Sequence, residues 1–248
     1  MSEKDKTKTD NIYANQLDKV ESFSFNQRVV DVFPDMITRS VPGYNEIING
    51  IAELSSMFAK SDTNVYDLGC SLGAVTLAIA KGASETPINI IGVDNSNAMV
   101  KRCRDKVSAY SYARNVEIVE GDINHFECKN ASLIVLNFTL QFIEPEKRQS
   151  LINRLYQELV PGGVLIVSEK LKHEDDRVND AIIKMHHNFK RKNGYSDLEI
   201  AQKRTSLEKV MLLDTQQMHH QRFHRAGFSS SSLWFQQLNF ASFMAIKD

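Results

Sequence analysis

Short apolar runs alternate with helix-like segments between residues 64 and 167, and this alternation constrains the fold more than any other feature of the chain. The runs are too continuously apolar for strands with one solvated face, and such runs are typical of parallel strands buried on both faces. They cover residues 65–68, 88–93, 116–119, 133–136 and 164–167. Helix-like segments at 74–81, 98–110 and 145–159 separate most of them. The pattern therefore predicts repeated βαβ units in an α/β protein with a doubly wound sheet.

The alternation stops after residue 170, and the chain continues with a long charged segment and two more strand patterns. Residues 171–224 have no strand signal and predict a helical insertion packed over one end of the sheet, with a break between two helices at Gly194. Residues 233–235 and 240–246 predict an antiparallel pair at the sheet edge. We expect a Rossmann-like, mostly parallel seven-stranded sheet with an antiparallel edge strand, as in class I methyltransferases.

The N-terminal region differs in composition from the rest. Residues 1–20 are polar and predict a flexible tail, so that residues 21–248 form one domain. Apolar residues at helical spacing between 23 and 37 predict a short helix that Pro34 interrupts. A second helix is expected after the turn Pro42-Gly43.

Composition limits the surroundings and partners of the protein. A formal net charge of -1 over 248 residues provides no global attraction to nucleic acid or to an anionic membrane, so a small-molecule substrate is favoured. The three cysteines fit neither a disulfide framework nor a paired zinc ribbon, which is typical of a reducing compartment. There is no signal-peptide pattern and no run near the roughly 18 apolar residues of a membrane span. We expect a soluble cytoplasmic protein.

The first βα connection reads Asp67-Leu68-Gly69-Cys70-Ser71-Leu72-Gly73. Glycines suit this position because the backbone turns sharply and a ligand approaches closely at the carboxyl ends of the strands. A dinucleotide-binding turn has the spacing G-x-G-x-x-G, whereas the last glycine here comes one residue earlier. The spacing resembles the S-adenosylmethionine-binding motif of class I methyltransferases, with Ser71 in place of the usual middle glycine. The alternative is a tight turn without a ligand.

Two further acids follow the next two predicted strands. Asp94 comes about 20 residues after the glycine turn, where a carboxylate accepts hydrogen bonds from both ribose hydroxyls. A helix N-cap by Asp94, Asn95 or Ser96 is the alternative, and both roles are compatible. Asp122 ends the third strand, where this fold usually presents an acid to the adenine amino group and an apolar neighbour, here Ile123, to the ring. Because unpaired carboxylates are costly to bury, the three strand-end acids predict an adenosyl-ligand site.

No residue set in the sequence identifies the catalytic chemistry, and the catalytic residues stay unassigned. Asn137 ends the fourth strand without the two prolines of amide and adenine methyltransferases. It binds the methionine part of the ligand, or it is a buried amide satisfied by nearby backbone. The pairs His186-His187 and His219-His220 point about 100° apart on a helix, so solvated or half-buried histidines are favoured and no metal is expected. The basic run 184–192 is interpreted as a solvated helix face, with nucleic-acid contact as the alternative.

Longer phrases spread along the chain resemble one family, the carboxy-S-adenosylmethionine synthases. The resemblance covers nearly everything from residue 20 onward and is much more specific than a glycine turn. Besides the turn at 67–73, its phrases are Val32-Phe33-Pro34-Asp35-Met36, Arg39-Ser40-Val41-Pro42-Gly43-Tyr44, Leu136-Asn137-Phe138-Thr139-Leu140-Gln141-Phe142, Met185-His186-His187, Asn193-Gly194-Tyr195-Ser196, Glu199-Ile200, Gln202-Lys203-Arg204 and Leu233-Trp234-Phe235-Gln236.

The resemblance implies a reaction in which S-adenosylmethionine and prephenate give carboxy-S-adenosylmethionine and phenylpyruvate. Prephenate would lose a carboxyl group as carbon dioxide, and the deprotonated sulfonium methyl group would capture it. A group released from prephenate would remove the proton inside a closed site, which agrees with the absence of an obvious protein base. The product would serve a partner enzyme that carboxymethylates the wobble uridine (position 34) of tRNA, so this chain need not bind RNA.

The resemblance also implies the site residues and a homodimer. The residues that would line the cofactor site are Tyr44, Gly69, Cys70, Ser71, Asp94, Asn95, Asp122, Ile123 and Asn137. Arg204 would hold the carboxylate of the product, because a guanidinium grips a carboxylate with two parallel hydrogen bonds. Arg204 lies in the predicted insertion and would reach its own site or that of a neighbouring subunit.

Two other functions stay open at this point. One is an ordinary methyltransferase that acts on a small acid or on tRNA, with Arg204 contacting the substrate. The other is a non-enzymatic module that senses adenosyl ligands. Transfer of a labelled methyl group would favour the first, and ligand binding without turnover of prephenate would favour the second.

Overall fold

In the computed structural model, which describes residues 8–248, one mixed sheet lies between two layers of helices. The strands are β1 (Asn64–Leu68), β2 (Asn89–Asp94), β3 (Val116–Glu120), β4 (Ala131–Asn137), β5 (Leu159–Lys170), β6 (Ser230–Gln237) and β7 (Phe240–Ile246). The α-helices are α1 (Gln27–Ser40), α2 (Tyr44–Phe58), α3 (Ala74–Gly82), α4 (Asn97–Ser108), α5 (Pro145–Glu158), α6 (Asp176–Lys192), α7 (Asp197–Leu207) and α8 (Gln216–Ala226).

The strand order in the sheet is β3-β2-β1-β4-β5-β7-β6. Strands β1 to β5 pair in parallel, and β7 runs antiparallel to both β5 and β6. The predicted Rossmann-like fold class, including the antiparallel pair at the edge, is confirmed. The chain leaves β1 to one side for β2 and later returns to the other side for β4. This change of direction opens a crevice at the carboxyl ends of β1 and β4, where ligands bind in open α/β sheets.

The central strands are buried on both faces, as the continuous apolar runs predicted. In β4, Leu133 and Val135 pack into the core shared with α2, α3 and α4, whereas Ile134 and Leu136 pack into the core shared with α5 and α8. Burial of each such side chain stabilises the fold by about 1.5–3 kcal/mol. The two cores hold the strand ends rigidly and therefore position the loops that follow them.

Helix α1 contains Pro34, so the prediction that this proline interrupts the helix is wrong. The Asn26 side chain caps the helix by accepting hydrogen bonds from the backbone N–H groups of Arg28 and Val29. Val29, Val30, Val32 and Met36 are buried on one side of it. A proline inside a helix costs about 3 kcal/mol or more, and this packing and capping offset that cost.

The predicted N-terminal tail, residues 1–20, is only partly within the described chain. Residues 1–7 lie outside the described residues. From residue 8 the segment runs along α7: Gln202 donates to the carbonyls of Tyr13 and Asn15 and accepts from the N–H of Leu17 at 2.8 Å. Asp10 is 2% exposed. The hydrogen bonds of Gln202 and the buried carboxylate of Asp10 therefore hold this part of the predicted tail against the domain.

The predicted insertion contains three helices, α6, α7 and α8. Asn193 and Gly194, with φ of +86° at the glycine, separate α6 from α7, which confirms the predicted break. Helix α8 packs Phe223 into the core beside α5, so it belongs to the layer that covers the sheet. Only α6 and α7 extend over the strand ends. None of the described helices is long and apolar enough to cross a membrane.

Candidate active site

A cavity of about 810 Å³ lies at the carboxyl ends of the central strands, beneath α6 and α7. All ten residues that the sequence and its resemblance nominated line this cavity: Tyr44, Gly69, Cys70, Ser71, Asp94, Asn95, Asp122, Ile123, Asn137 and Arg204. They come from six separate stretches of chain. The structure therefore brings the nominated residues together, while their individual roles stay predictions.

The glycine turn after β1 is tied to β2 by its backbone. The N–H groups of Gly69 and Cys70 donate to the carbonyl of Val93 at 2.7 and 3.0 Å. Gly69 has φ of +85°, and a Cβ atom there would overlap the side chain of Thr139. Ser71 also has a left-handed backbone, with φ of +50°, which costs a non-glycine residue about 1–2 kcal/mol and explains why glycine is usual at this position.

Cys70 is a packed thiol in this turn. Its neighbour Cys103 and its burial together raise the pKa of the Cys70 thiol well above the ordinary value. Cys70, Cys103 and Cys128 are all free and buried. A neutral thiol is a weak nucleophile, so Cys70 contributes shape to the turn rather than reactivity.

Asp94 lies at the end of β2 with both carboxylate oxygens bonded to backbone. Oδ2 accepts from the N–H of Ser71 at 2.9 Å and Oδ1 accepts from the N–H of Ser96 at 2.8 Å. Ser96 is the N-cap of α4, so the capping role belongs to Ser96 while Asp94 opens onto the cavity. Burial raises the pKa of Asp94. Each oxygen keeps acceptor capacity for a ligand hydroxyl.

Asp67, in β1, is a site residue that the nominated set did not include. It is 1% exposed, and its Oδ2 accepts from the Thr76 hydroxyl at 2.5 Å. Its Oδ1 is buried without a hydrogen-bond partner among the described residues. Burial raises the pKa of Asp67 to about 7. The signal was present in the sequence, since Asp67 directly precedes the glycine turn.

Asn137 and Tyr44 form the inner part of the cavity. The Asn137 Oδ1 atom is buried and has no partner in the described chain, so the amide is not satisfied by neighbouring backbone. The next residue, Phe138, has φ of +60°, and its ring centroid lies 6.4 Å from that of Tyr44. Burial raises the pKa of Tyr44, which keeps its hydroxyl protonated. Asp67 and Asn137 thus both line the cavity, and each has one buried acceptor oxygen without a donor among the described residues.

Asp122, Ile123 and Asn95 occupy the rim near β2 and β3. Ile123 is buried, while Asp122 and Asn95 are exposed. One oxygen of Asp122 accepts from the backbone and side-chain nitrogens of Asn124, both at 2.9 Å. The other oxygen lies 3.9 Å from the His125 ring. The apolar residue and the acid are adjacent and both line the cavity, while their contacts with adenine stay predictions.

Arg204 reaches the cavity from α7. Its Nε donates to Glu208 Oε1 at 3.2 Å, and its side chain is 63% exposed. An exposed ion pair of this kind contributes little stability, about 0–1 kcal/mol. The guanidinium is therefore available to an anion that enters the cavity.

Sequence reasoning missed three lysines that line the same cavity, Lys170, Lys190 and Lys203. The basic run 184–192 was interpreted as a solvated face, but Lys190 is 6% exposed, so that interpretation is wrong for this residue. Lys203 is equally buried, and Lys170 is half-buried at the end of β5. No periodicity distinguishes these lysines from surface lysines, because their burial depends on how α6 and α7 lie over the sheet.

Each histidine pair contains one fully buried ring. His186 Nε2–H donates to the carbonyl of Ser40 at 2.8 Å, and burial lowers the pKa of His186 to about 3. His219 is 1% exposed, and burial lowers its pKa to about 3 as well. Both rings are therefore neutral and more buried than the sequence predicted. Among residues 8–248, no group of three or more His, Cys, Asp or Glu side chains has an arrangement that could hold a metal ion.

The residues of the inner cavity suit S-adenosylmethionine. Its ammonium group and ribose hydroxyls are donors, and the cavity presents acceptors on Asp67, Asp94 and Asn137 that the protein leaves wholly or partly free. Its adenine ring is apolar on both faces, and Ile123 is an apolar neighbour on the rim.

Comparison with known proteins agrees with this fit. A family model described as "Methyltransferase domain" matches residues 65–163. Among solved structures, an O-methyltransferase family protein from Burkholderia thailandensis superposes with a TM-score of 0.65 at 18% identity, over 90% of this chain and 60% of that one. Human N-acetylserotonin methyltransferase in complex with SAM superposes with a TM-score of 0.62 at 19% identity, over 89% of this chain and 55% of that one. These likenesses show the fold.

Curated relatives are much more similar and match over almost their whole length. Proteins named carboxy-S-adenosyl-L-methionine synthase are 54% identical in Colwellia psychrerythraea, over 96% of this chain and 98% of the relative, and 52% identical in Aliivibrio fischeri over the same shares. The Escherichia coli protein of that name is 50% identical over 96% of each chain. This chain therefore belongs to the carboxy-S-adenosyl-L-methionine synthase family and is an S-adenosylmethionine-dependent enzyme of the transferase class.

Proposed function

We propose that this enzyme converts S-adenosylmethionine and prephenate to carboxy-S-adenosylmethionine and phenylpyruvate. Prephenate loses its ring carboxyl group as carbon dioxide and its hydroxyl group as it becomes aromatic. The carbon dioxide forms a new bond to the sulfonium methyl carbon, and the displaced methyl proton leaves with the hydroxyl group as water. Atoms and charges balance without an added oxidant or reductant.

The cofactor half of the cavity would hold S-adenosylmethionine as follows. Asp94 accepts hydrogen bonds from the ribose hydroxyls, and Asp122 with Ile123 receives the adenine. Asp67 and Asn137 supply their unpartnered oxygens to the methionine part, where an ammonium donor removes the cost of leaving a buried acceptor unsatisfied, about 1–3 kcal/mol each. The turn from Gly69 to Ser71 and the Tyr44 ring complete this half.

The observation that carries the proposal is that Arg204, from α7, opens onto the same cavity as the strand-end acids. A family named for a carboxylated sulfonium product needs a cation opposite an otherwise acidic cofactor site. Among residues 8–248, Arg204 pairs only with the exposed Glu208, and a carboxylate in the cavity offers a better, two-pronged partner. At about 1.5–3 kcal/mol for charged hydrogen bonds, the exchange favours product over S-adenosylmethionine by roughly tenfold to a hundredfold.

We further propose that the product serves a separate tRNA carboxymethyltransferase that modifies the wobble uridine at position 34. The net charge of -1 agrees with a protein that does not bind RNA itself. We propose a cytoplasmic location, because a reducing compartment keeps the three free cysteines as thiols. We also propose a homodimer, which the resemblance to the family implies.

Mass spectrometry of the small molecules tests the proposed reaction directly. The purified protein is incubated with S-adenosylmethionine and prephenate, alongside Arg204→Ala and the surface control Arg225→Ala. We expect a species heavier than S-adenosylmethionine by one carbon dioxide, in equal amount with phenylpyruvate, from the wild type and the control but not from Arg204→Ala.

Two other results would replace the proposal. Label transferred from methyl-labelled S-adenosylmethionine to a small acid or to tRNA would assign an ordinary methyltransferase. Tight binding of S-adenosylmethionine without turnover of prephenate or transfer of label would assign an adenosyl-ligand sensor.

A further inference from the structure

Three lysines, two of them buried and one half-buried, face the cavity opposite the acid-lined half, and the proposed function assigns none of them a role. They come from separate elements: Lys170 from the end of β5, Lys190 from α6 and Lys203 from α7. Lys190 and Lys203 are each 6% exposed. An ammonium group is rarely buried to this extent unless a partner compensates its charge.

Within the described chain, only one of the three lysines has a carboxylate at ion-pair distance. Lys203 Nζ lies 3.6 Å from Asp10 Oδ2 and 3.3 Å from the Ser40 hydroxyl. The ammonium groups of Lys170 and Lys190 make no hydrogen bond or ion pair with a described residue; they lie 5.7 Å from the Phe240 ring centroid and 5.3 Å from the Tyr195 ring centroid, respectively. Two ammonium groups are therefore left without a contacting carboxylate.

Asp10 and Glu199 attract Lys190 and offset part of the effect of burial on its pKa, but neither carboxylate is within ion-pair distance of it. Arg204 pairs with Glu208, and Arg39 pairs with Asp35 at 2.9 Å. His186 is neutral, because burial lowers its pKa to about 3. Burial also lowers the pKa of Lys170 and of Lys190 to about 8, and Lys190 and Arg204 contribute to the shift of Lys170. Both ammonium groups are still mostly charged at pH 7.

An aromatic surface connects this cationic region to the cofactor half. The Phe240 ring lies 4.9 Å from His186 and 6.0 Å from Phe138, centroid to centroid, and Phe138 lies next to Tyr44. The cavity thus presents two unpaired cations beside a ring-sized apolar surface, adjacent to the place where the sulfonium would lie.

We propose that Lys170 and Lys190 bind the two carboxylates of a dianionic second substrate whose ring packs against Phe240. Two unpaired ammonium groups favour a dicarboxylate, since a ligand with one carboxylate would leave one of them unpaired. The identity of the turned-over dicarboxylate as prephenate rests on the proposed function; the preference for two carboxylates rests on the lysines alone.

Two ligands that cannot react separate the preference for two carboxylates from the identity of the substrate. We would measure by calorimetry the binding of phenylsuccinate, which has two carboxylates, and of 3-phenylpropanoate, which has one. The proteins are the wild type, Lys170→Met and Lys190→Met, with the exposed neighbours Lys172→Met and Lys184→Met as matched controls. Affinity for S-adenosylmethionine is measured on every variant to establish that the cavity is intact.

We expect the wild type and both controls to bind phenylsuccinate at least about tenfold more tightly than 3-phenylpropanoate. Lys170→Met and Lys190→Met should each lose most of that preference, with unchanged affinity for S-adenosylmethionine. If prephenate is a substrate, its KM should rise about 10- to 100-fold in the same two variants.

The inference and the proposed function fail in different ways. Absence of carboxy-S-adenosylmethionine in the wild type, with the dicarboxylate preference present and dependent on both lysines, overturns the function and supports the inference. Production of carboxy-S-adenosylmethionine with equal binding of the two probes, or with a preference that survives both substitutions, overturns the inference.

Discussion

The two halves of the cavity are built in different ways. In the cofactor half, Asp67, Asp94 and Asp122 each lie at or directly after the end of a strand, and backbone groups of the adjacent turns hold Asp94 at 2.8 and 2.9 Å. In the opposite half, Lys170, Lys190 and Lys203 come from three elements, and their charges meet only because α6 and α7 lie over the sheet.

Each half of the cavity holds its charged groups in a different way. Hydrogen bonds from Thr76, the glycine turn and Asn124 hold the three carboxylates, although one oxygen of Asp67 has no partner among the described residues. In the lysine half, two ammonium groups have no contacting carboxylate within the described chain, and the third contacts Asp10, a residue of the N-terminal segment. We therefore expect mutations in the two halves to affect different ligands.

Asp94→Ala should have the largest effect. Loss of two charged hydrogen bonds to the ribose, with disturbance of the glycine turn at Ser71, should weaken S-adenosylmethionine binding by at least about 100-fold. Calorimetry measures this directly. Phenylsuccinate binding should change less than threefold; an equal loss for both ligands would show that the halves are not independent.

Asp10→Asn should reduce the free energy of unfolding by about 2–3 kcal/mol. Asp10 accepts from the Tyr195 hydroxyl at 2.5 Å and neutralises the buried Lys203, so the substitution leaves a third unpaired ammonium. Urea unfolding followed by circular dichroism measures the change. The exposed Asp18→Asn on the same segment is the control and should stay within about 0.5 kcal/mol of wild type. Equal stability of both variants would mean that the N-terminal segment does not support the lysines.

Arg204→Ala should weaken product binding selectively. We expect affinity for carboxy-S-adenosylmethionine to fall by roughly tenfold to a hundredfold while affinity for S-adenosylmethionine stays unchanged, because only the product has the extra carboxylate. Arg204→Lys keeps the charge without the planar fork and should give an intermediate loss. Competition calorimetry with both ligands makes the comparison, and a parallel loss for both would assign Arg204 to the cofactor half.

Lys170→Met should stabilise the ligand-free protein by about 1–2 kcal/mol at pH 7, because it removes a buried charge that has no partner. The pKa of this lysine is about 8 in the fold against 10.5 in the unfolded chain, so the folded protein disfavours its charged form. That penalty is complete below about pH 8 and vanishes above pH 10.5.

The gain in stability from Lys170→Met should therefore shrink between pH 7 and pH 10. Urea unfolding at both pH values tests the sign, with Lys172→Met as the control. A variant less stable than wild type at pH 7 would show that Lys170 has a structural role and that its charge is compensated.

Local pattern predicted most of the cofactor half. The apolar runs placed β1 to β5, the glycine spacing marked the turn, and Asp94 and Asp122 followed from their positions after strands. Local pattern failed at Pro34, where a cap at Asn26 and burial of one side of α1 outweigh the proline. It also failed at Asp10, whose burial depends on contacts with the distant residues Tyr195 and Lys203, and at Lys190, which α6 buries beside the cavity.

Hydrophobic period and short spacings were enough to predict the fold class and the location of the cofactor half, and longer phrases were enough to predict the family, because the chain displays all of these locally. The burial of the lysines, the lack of a contacting carboxylate at two of them and the unpartnered acceptors follow from the tertiary structure alone. Burial and pairing are properties of how distant segments pack, and a lysine in a polar helix has the same local pattern whether it faces water or a cavity.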